Sequence, residues 1–201
     1  MQERSESLHG CPAKLIGSGG IMASAFSSTV IFARRLVLVL LLLAGAQAAA
    51  QAAPLRIVAI GASNTSGWGV GSGSAYPERL QAMLRAKGID AEVKNSGIPA
   101  ETTNGMLGRI DSAVPDGTSI VILQPGGNDL RFFGTKERRT SNINSMVAKL
   151  RARNIKVIVY DPVFPPEDYQ WDRIHINTDG HNKMAAALVP QVMAAIGGAK
   201  R

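Results

Sequence analysis

The sequence predicts an α/β protein built on a parallel sheet. Three observations carry this prediction. Four short runs are rich in Val and Ile, at 55–60, 91–95, 119–124 and 156–161, and three of them are near-continuously apolar. Unbroken apolar runs of this length mark strands buried on both faces, as in a parallel sheet. Stretches with helical spacing of apolar residues alternate with them, and strand–helix alternation defines the class, with right-handed crossovers. Polar segments, several rich in glycine, follow the runs, and ligands of such sheets bind beyond the carboxyl ends of the strands.

The elements read as follows. "LRIVAI" (55–60) is the first strand; it stops at Gly61, and Ser63 follows two positions later. "YPERLQAMLRAKG" (76–88) sets Leu80, Met83 and Leu84 on one helical face, with a proline near its start and Gly88 at its end. "AEVKN" (91–95) is the second strand. "TTNGMLGRIDSAV" (102–114) repeats the helical pattern through Met106, Leu107, Ile110 and Val114. "SIVILQ" (119–124) is the third strand. "TSNINSMVAKLRARN" (140–154) is a helix with Ile143, Met146, Val147 and Leu150 on one side. "KVIVYD" (156–161) is the fourth strand. The last helix, 178–197, opens on the capping residues Thr178 and Asp179, and Pro190 is expected to kink or break it.

Residues 1–52 read differently. Two arginines, an apolar run from Leu36 to Leu43 and small residues with Ala-x-Ala spacing form the pattern of a secretory signal. The run falls short of the roughly 20 apolar residues a membrane span needs, so no stable anchor is expected, a retained N-terminal anchor being the alternative. Met22 would begin a signal of more ordinary length. The expected organisation is an extension and signal over 1–52, one domain over 53–201, and a periplasmic or secreted product.

Cys11, the chain's one cysteine, would leave with the signal, so the exported domain has no disulfide and relies on its core. The formal charge of the whole chain is +7. From residue 53 onward, 18 basic residues stand against 13 acidic ones, an excess of +5. The bases are scattered apart from "KERR" (136–139). No basic stripe with interleaved aromatics exists, which argues against nucleic-acid binding.

The strand-end segments carry the chemistry. They are "GASN" (61–64), "NSGIPAETT" (95–103), "PGGNDLR" (125–131) and "YQWDRIHINTDGH" (169–181). Together they supply a hydroxyl, a base, a carboxylate to orient the base, and candidate oxyanion donors, which is the kit for acyl transfer. Beyond residue 52 there are two histidines, His175 and His181. Asp172 lies three residues before His175, within reach in a turn. His181 opens a helix and reads as a capping or packing residue. A metal reading of Asp172, His175, Asp179 and His181 is disfavoured because Asp179 is a natural N-cap. "GVGSG" (69–73) lies too far past its strand for a phosphate loop. Thr65 stands where a Gly-x-Ser-x-Gly elbow needs its last glycine, so an ordinary α/β-hydrolase is also disfavoured.

These blocks, in this order, resemble the SGNH, or GDSL, hydrolases, nearest to the small bacterial periplasmic arylesterase and thioesterase/lysophospholipase branch. The resemblance covers residues 55–196 and rests on Ser63 in "GAS", on "NSGIPAET", on Gly126-Gly127-Asn128-Asp129, and on Asp172 with His175. It implies a three-layer α/β/α, flavodoxin-like fold with a short parallel sheet of four to five strands. It further implies a catalytic Ser63, His175 and Asp172, and an oxyanion hole made by the N–H groups of Ser63 and Ala100 and the Asn128 amide. No metal or organic cofactor is implied, and the partner is a small ester.

The chain also departs from the family. Ala62 replaces an aspartate, Ala100 the second glycine of its block, and Arg173 and Ile176 a glycine and a proline. The stretch from the fourth strand to Asp172 is too short for the usual extra helix and fifth strand. Trp68, Phe132 and Phe133 are candidates for an apolar substrate wall. The expected activity is hydrolysis of short-chain or aryl carboxylic or thio-esters. A carbohydrate O-deacetylase and a binding module on a decayed hydrolase scaffold are the alternatives.

Overall fold

The computed structural model describes Arg34 and residues 53–71, 73–132 and 134–197; the signal reading, apart from Arg34, and Phe133 lie outside the described residues. Four parallel strands form one sheet: β1 (Leu55–Gly61), β2 (Ala91–Gly97), β3 (Ile120–Gln124) and β4 (Lys156–Val159), in the order β2-β1-β3-β4. In register, Ile57 lies beside Val93 and Ile120, and Gly61 beside Gly97 and Gln124. The three chemistry-bearing strand ends are therefore level with one another.

Successive side chains of a strand point to opposite faces, and both faces of the sheet are covered. Ile57, Ala59, Ile120 and Ile122 pack against Leu80 and Leu84 of α2 (Tyr76–Ala86) and against Met184, Leu188 and Val192 of α6 (Thr178–Gly197). Val58, Ile60, Val121 and Leu123 pack on the other side against Met106 and Ile110 of α3 (Thr103–Ala113) and Met146 and Leu150 of α5 (Lys136–Ala152). This is the three-layer α/β/α arrangement. Full burial of each Val, Ile, Leu or Met side chain among these is worth about 1.5–3 kcal/mol before the entropy cost of ordering it.

Only the central strands match the reading of strands buried on both faces. β1 and β3 are buried almost throughout, whereas β2 alternates, with Glu92 and Lys94 exposed, and Val159 of β4 is 46% exposed. Sheet order is the reason: β2 and β4 are edges, and charged edge residues block pairing with other chains.

Two one-turn helices that the periodicity did not predict sit directly on strand ends, α1 (Ser63–Ser66) after β1 and α4 (Asn128–Arg131) after β3. They are too short for an apolar repeat. Helix α5 starts four residues before the predicted 140, because the Thr135 side chain caps it by accepting the Arg138 N–H (3.2 Å). Helix α6 runs through Pro190 without ending. Pro190 lies on the exposed side, as does Ala186 four residues earlier, so the carbonyl left without a donor meets water. Between β4 and α6 there is a 3-10 turn (Pro166–Asp168) and an antiparallel bridge of Tyr169 with Ile176. No fifth strand forms among the described residues.

Candidate active site

The turn that carries Ser63 is forced by close approach. A Cβ on Gly61 would stand 2.0 Å from Thr65 Oγ1 and 2.7 Å from the Gln124 carbonyl oxygen, and one on Gly97 would stand 2.2 Å from the Ser66 nitrogen. Glycine at both positions lets β2 and β3 close on α1. The Ala62 carbonyl accepts the N–H groups of Thr65 (3.1 Å) and Ser66 (3.0 Å), which holds Ser63 in the first turn of α1. Beneath it, the buried Thr65 hydroxyl donates to Gln124 Oε1 (3.1 Å) and bonds Tyr76 Oη (3.3 Å). The aspartate missing at Ala62 is thus replaced by a buried alanine whose backbone alone caps the turn.

The second strand end leads to Ala100, whose φ is +63°. A left-handed backbone suits glycine and costs an alanine about 1–2 kcal/mol. The loop is held in spite of this by Arg109. Its guanidinium donates to both Glu101 carboxylate oxygens (2.6 and 2.5 Å) and to the Ser96 carbonyl (2.8 Å).

After β3, the Asn128 amide donates to the Glu101 carbonyl (2.9 Å), which joins the second and third blocks. The neighbouring Asp129 is buried, and its carboxylate accepts the Thr103 N–H (3.0 Å) and hydroxyl (2.6 Å). Asn142 donates to the same hydroxyl (3.0 Å), so α4 is anchored to α3 and α5.

The last block closes on itself. His175 Nδ1 lies 2.5 Å from Asp172 Oδ2, and Asp172 Oδ1 accepts the N–H groups of Ile174 (2.9 Å) and His175 (3.0 Å). The His175 N–H first, with the His175 ring and the Ile174 N–H, holds the Asp172 carboxyl down at about 2 against an opposing desolvation. An ionised carboxylate only accepts, so Nδ1 carries the hydrogen and, in the neutral ring, Nε2 has the lone pair. Among the described residues, neither the Ser63 hydroxyl nor His175 Nε2 has a hydrogen-bond partner.

Two residues that the motif reading passed over set the histidine against the serine turn. Asn64 Nδ2 donates to the Ile174 carbonyl (3.3 Å), and its Oδ1 accepts the Ile176 N–H (3.0 Å), gripping the backbone on both sides of His175. Gln170 Nε2 donates to the carbonyls of Trp68 (2.7 Å) and Ile176 (3.0 Å), and the Gln170 N–H to that of His175 (2.7 Å). The one signal for Asn64 in the chain was its place beside Ser63. Its partners are 110 and 112 positions away.

Ser63, Asn64 and Asn128 line one open cleft of about 480 Å³, together with Asp161, Pro162 and Val163 at its rim. The Trp68 ring leans on His175, with centroids 6.2 Å apart. Phe132 is 48% exposed and lies outside the residues lining the cleft. His181 is buried, and its Nδ1 accepts the Tyr76 N–H (3.1 Å), so it packs and caps α2.

A serine turn, an Asp–His pair and an asparagine at the ends of a level parallel sheet are the arrangement of the SGNH ester hydrolases. The model of the GDSL-like lipase/acylhydrolase family matches residues 59–198, and the chain belongs to that family. It is a serine ester hydrolase. It is 29% identical over 154 residues to esterase TesA of Pseudomonas aeruginosa, covering 74% of this chain and 76% of that protein. It is also 29% identical over 123 residues to an arylesterase of Vibrio mimicus, covering 59% of this chain and 60% of that one. Among solved structures, a crystal structure of TesA superposes with a TM-score of 0.64 at 20% identity, over 70% of this chain and 99% of that one. AlinE4, an esterase of the SGNH-hydrolase family, gives 0.53 at 25% identity, over 71% and 74%. The predicted fold class holds, with four strands.

Proposed function

We propose that Ser63, His175 and Asp172 act as a catalytic triad on short-chain acyl and aryl esters, thioesters included. In this reading His175 Nε2 takes the Ser63 hydroxyl proton as Oγ attacks the acyl carbon. The tetrahedral oxyanion is met by the N–H groups of Ser63 and Ala100 and by the Asn128 amide. Collapse expels the alcohol or thiol, which receives the proton from His175. Water, deprotonated by His175, then attacks the acyl-enzyme and releases the acid and Ser63. Asp172 fixes the tautomer and stabilises the imidazolium.

The observation that carries the proposal is the Asp172–His175 pair, with its free Nε2 on a loop that Asn64 ties to the Ser63 turn. The left-handed Ala100 supports its donor role, since it keeps the backbone direction that a glycine would give there. The open cleft and the short rim at Asp161–Val163 support small substrates, since each further buried methylene returns only about 0.8 kcal/mol.

The test is kcat/KM on an acyl series from acetate to palmitate, with oxy- and thio-esters. Rates are expected to be highest from acetate to hexanoate. Ser63→Ala and His175→Ala should each lower kcat by about 10³-fold or more, since such residues act as a unit. A series rising to palmitate would overturn the substrate reading, and an active Ser63→Ala would overturn the triad. We further propose export to the periplasm or medium with removal of residues 1–52.

A further inference from the structure

The cleft beside Ser63 is lined by three arginines, Arg131, Arg139 and Arg173, and one carboxylate, Asp161. Arg139 is already committed: its Nε donates to the Gly126 carbonyl (2.9 Å) and its Nη2 pairs with Asp161. Arg131 and Arg173 are different. Among the described residues, neither guanidinium has a hydrogen bond or an ion pair. They reach the cleft from separate strand-end segments, Arg131 at the end of α4 and Arg173 between Asp172 and His175.

Arg173 also sits where it is costly. Its φ is +56°, a conformation glycine adopts without penalty, and glycine is the residue that the family pattern expects there. A strained, exposed arginine beside the candidate base, lining the cleft with no partner among the described residues, points to a partner that arrives with the substrate.

We infer that the cleft recognises esters bearing an anionic group, a carboxylate or a phosphate, a few atoms from the scissile bond, with Arg131 and Arg173 as its counter-charges. This deepens the ester-hydrolase reading and rests on it. Guanidinium matches the planar geometry of carboxylate and phosphate and holds them in paired hydrogen bonds. A cleft of one sign also concentrates ligands of the other and raises their encounter rate. Among the charged residues that line the cleft, Asp161 is paired with Arg139, which leaves Arg131 and Arg173, both positive, while the ionised Asp172 lies outside the lining.

The test compares matched substrates. 4-Acetoxybenzoate is set against its methyl ester, and the 4-nitrophenyl monoester of adipic acid against its methylated diester, each corrected for spontaneous hydrolysis. The first pair puts the anion on the alcohol side, the second on the acyl side. In at least one pair the anionic ester is expected to be favoured about tenfold or more in kcat/KM at low salt, with the preference collapsing at high ionic strength. Arg131→Gln and Arg173→Gly should each reduce that ratio several-fold, and Arg173→Lys should restore part of it. Arg173→Gly removes the strain, so its folding is not at risk.

A ratio near one in both pairs, or a ratio indifferent to salt and to both variants, overturns the inference and leaves two solvated arginines. Calorimetry with Ser63→Ala separates the two claims. If no ester is hydrolysed by the intact enzyme, the ester-hydrolase reading fails. Salt-sensitive binding of the anionic esters that weakens in an added Arg131→Gln or Arg173→Gly change would still uphold the cation pair, and equal binding of anionic and neutral esters would overturn it.

Discussion

Acidification should weaken this fold through His181 well before its carboxylates titrate. His181 is buried, its Nδ1 accepts the Tyr76 N–H at 3.1 Å, and its Nε2 is buried without a partner among the described residues. The ring is therefore neutral with its proton on Nε2. A second proton on Nδ1 would set two N–H groups face to face at the start of α2. Burial alone pushes the ring from 6.5 down to about 4. In the unfolded chain the ring takes its proton near 6.5, whereas in the fold it stays neutral until about 4. The unfolded state thus binds more protons between these values, and stability falls as the pH falls through that window. Two and a half units at 1.36 kcal/mol each set an upper size of about 3 kcal/mol. For a domain of this length that lowers Tm by about 10 °C. The assay is thermal unfolding by circular dichroism at half-unit steps from pH 7.5 to 4.5, for the wild type and His181→Asn. Asparagine keeps an acceptor near the Nδ1 position but does not titrate. Its lost ring volume lowers Tm at every pH, so the slope is the readout. Asp172, held near 2, adds its own loss only below the window. Equal slopes in the two proteins would refute the reasoning.

Asn128→Ala should lower kcat by about 10²-fold with little change in KM, because an oxyanion donor tightens only in the transition state; a change confined to KM would make Asn128 a substrate-binding residue. Asn64→Ala frees the backbone on both sides of His175, so kcat should fall about tenfold or more, since small displacements of a catalytic group are costly. Unchanged kcat in Asn64→Ala would show that the Asp172 turn orients the ring unaided. Protein recovered from a bacterial periplasm should begin between Ala49 and Pro54 on N-terminal sequencing, and an intact Met1 or Met22 terminus on exported protein would refute the signal.

Much of the fold was legible because its causes are local. The Val- and Ile-rich runs, the helical repeat of Leu80, Met83 and Leu84, and the alternation of the two are read within a dozen residues at a time. The Asp172–His175 pair was legible for the same reason, since a turn brings residues three apart together, and so was the strand-end place of Ser63. The first turn of α5 is marked in the chain only by Thr135, a capping residue type, because the apolar repeat begins at Ile143.

Tertiary structure alone decided the rest. Whether β2 and β4 are edges depends on sheet order, which no single strand encodes, and that order is why Glu92, Lys94 and Val159 are exposed. The left-handed backbone of Ala100 follows from a loop held by Arg109, Glu101 and Ser96 together. The grip of Asn64 on the His175 loop spans more than a hundred residues, and the unpaired charge of the cleft comes from Arg131 and Arg173 on two separate segments. Periodicity and capping act along the chain and are written in adjacent residues. The composition of a site depends on which distant side chains the packed sheet brings level, and it comes into being only when the strands align.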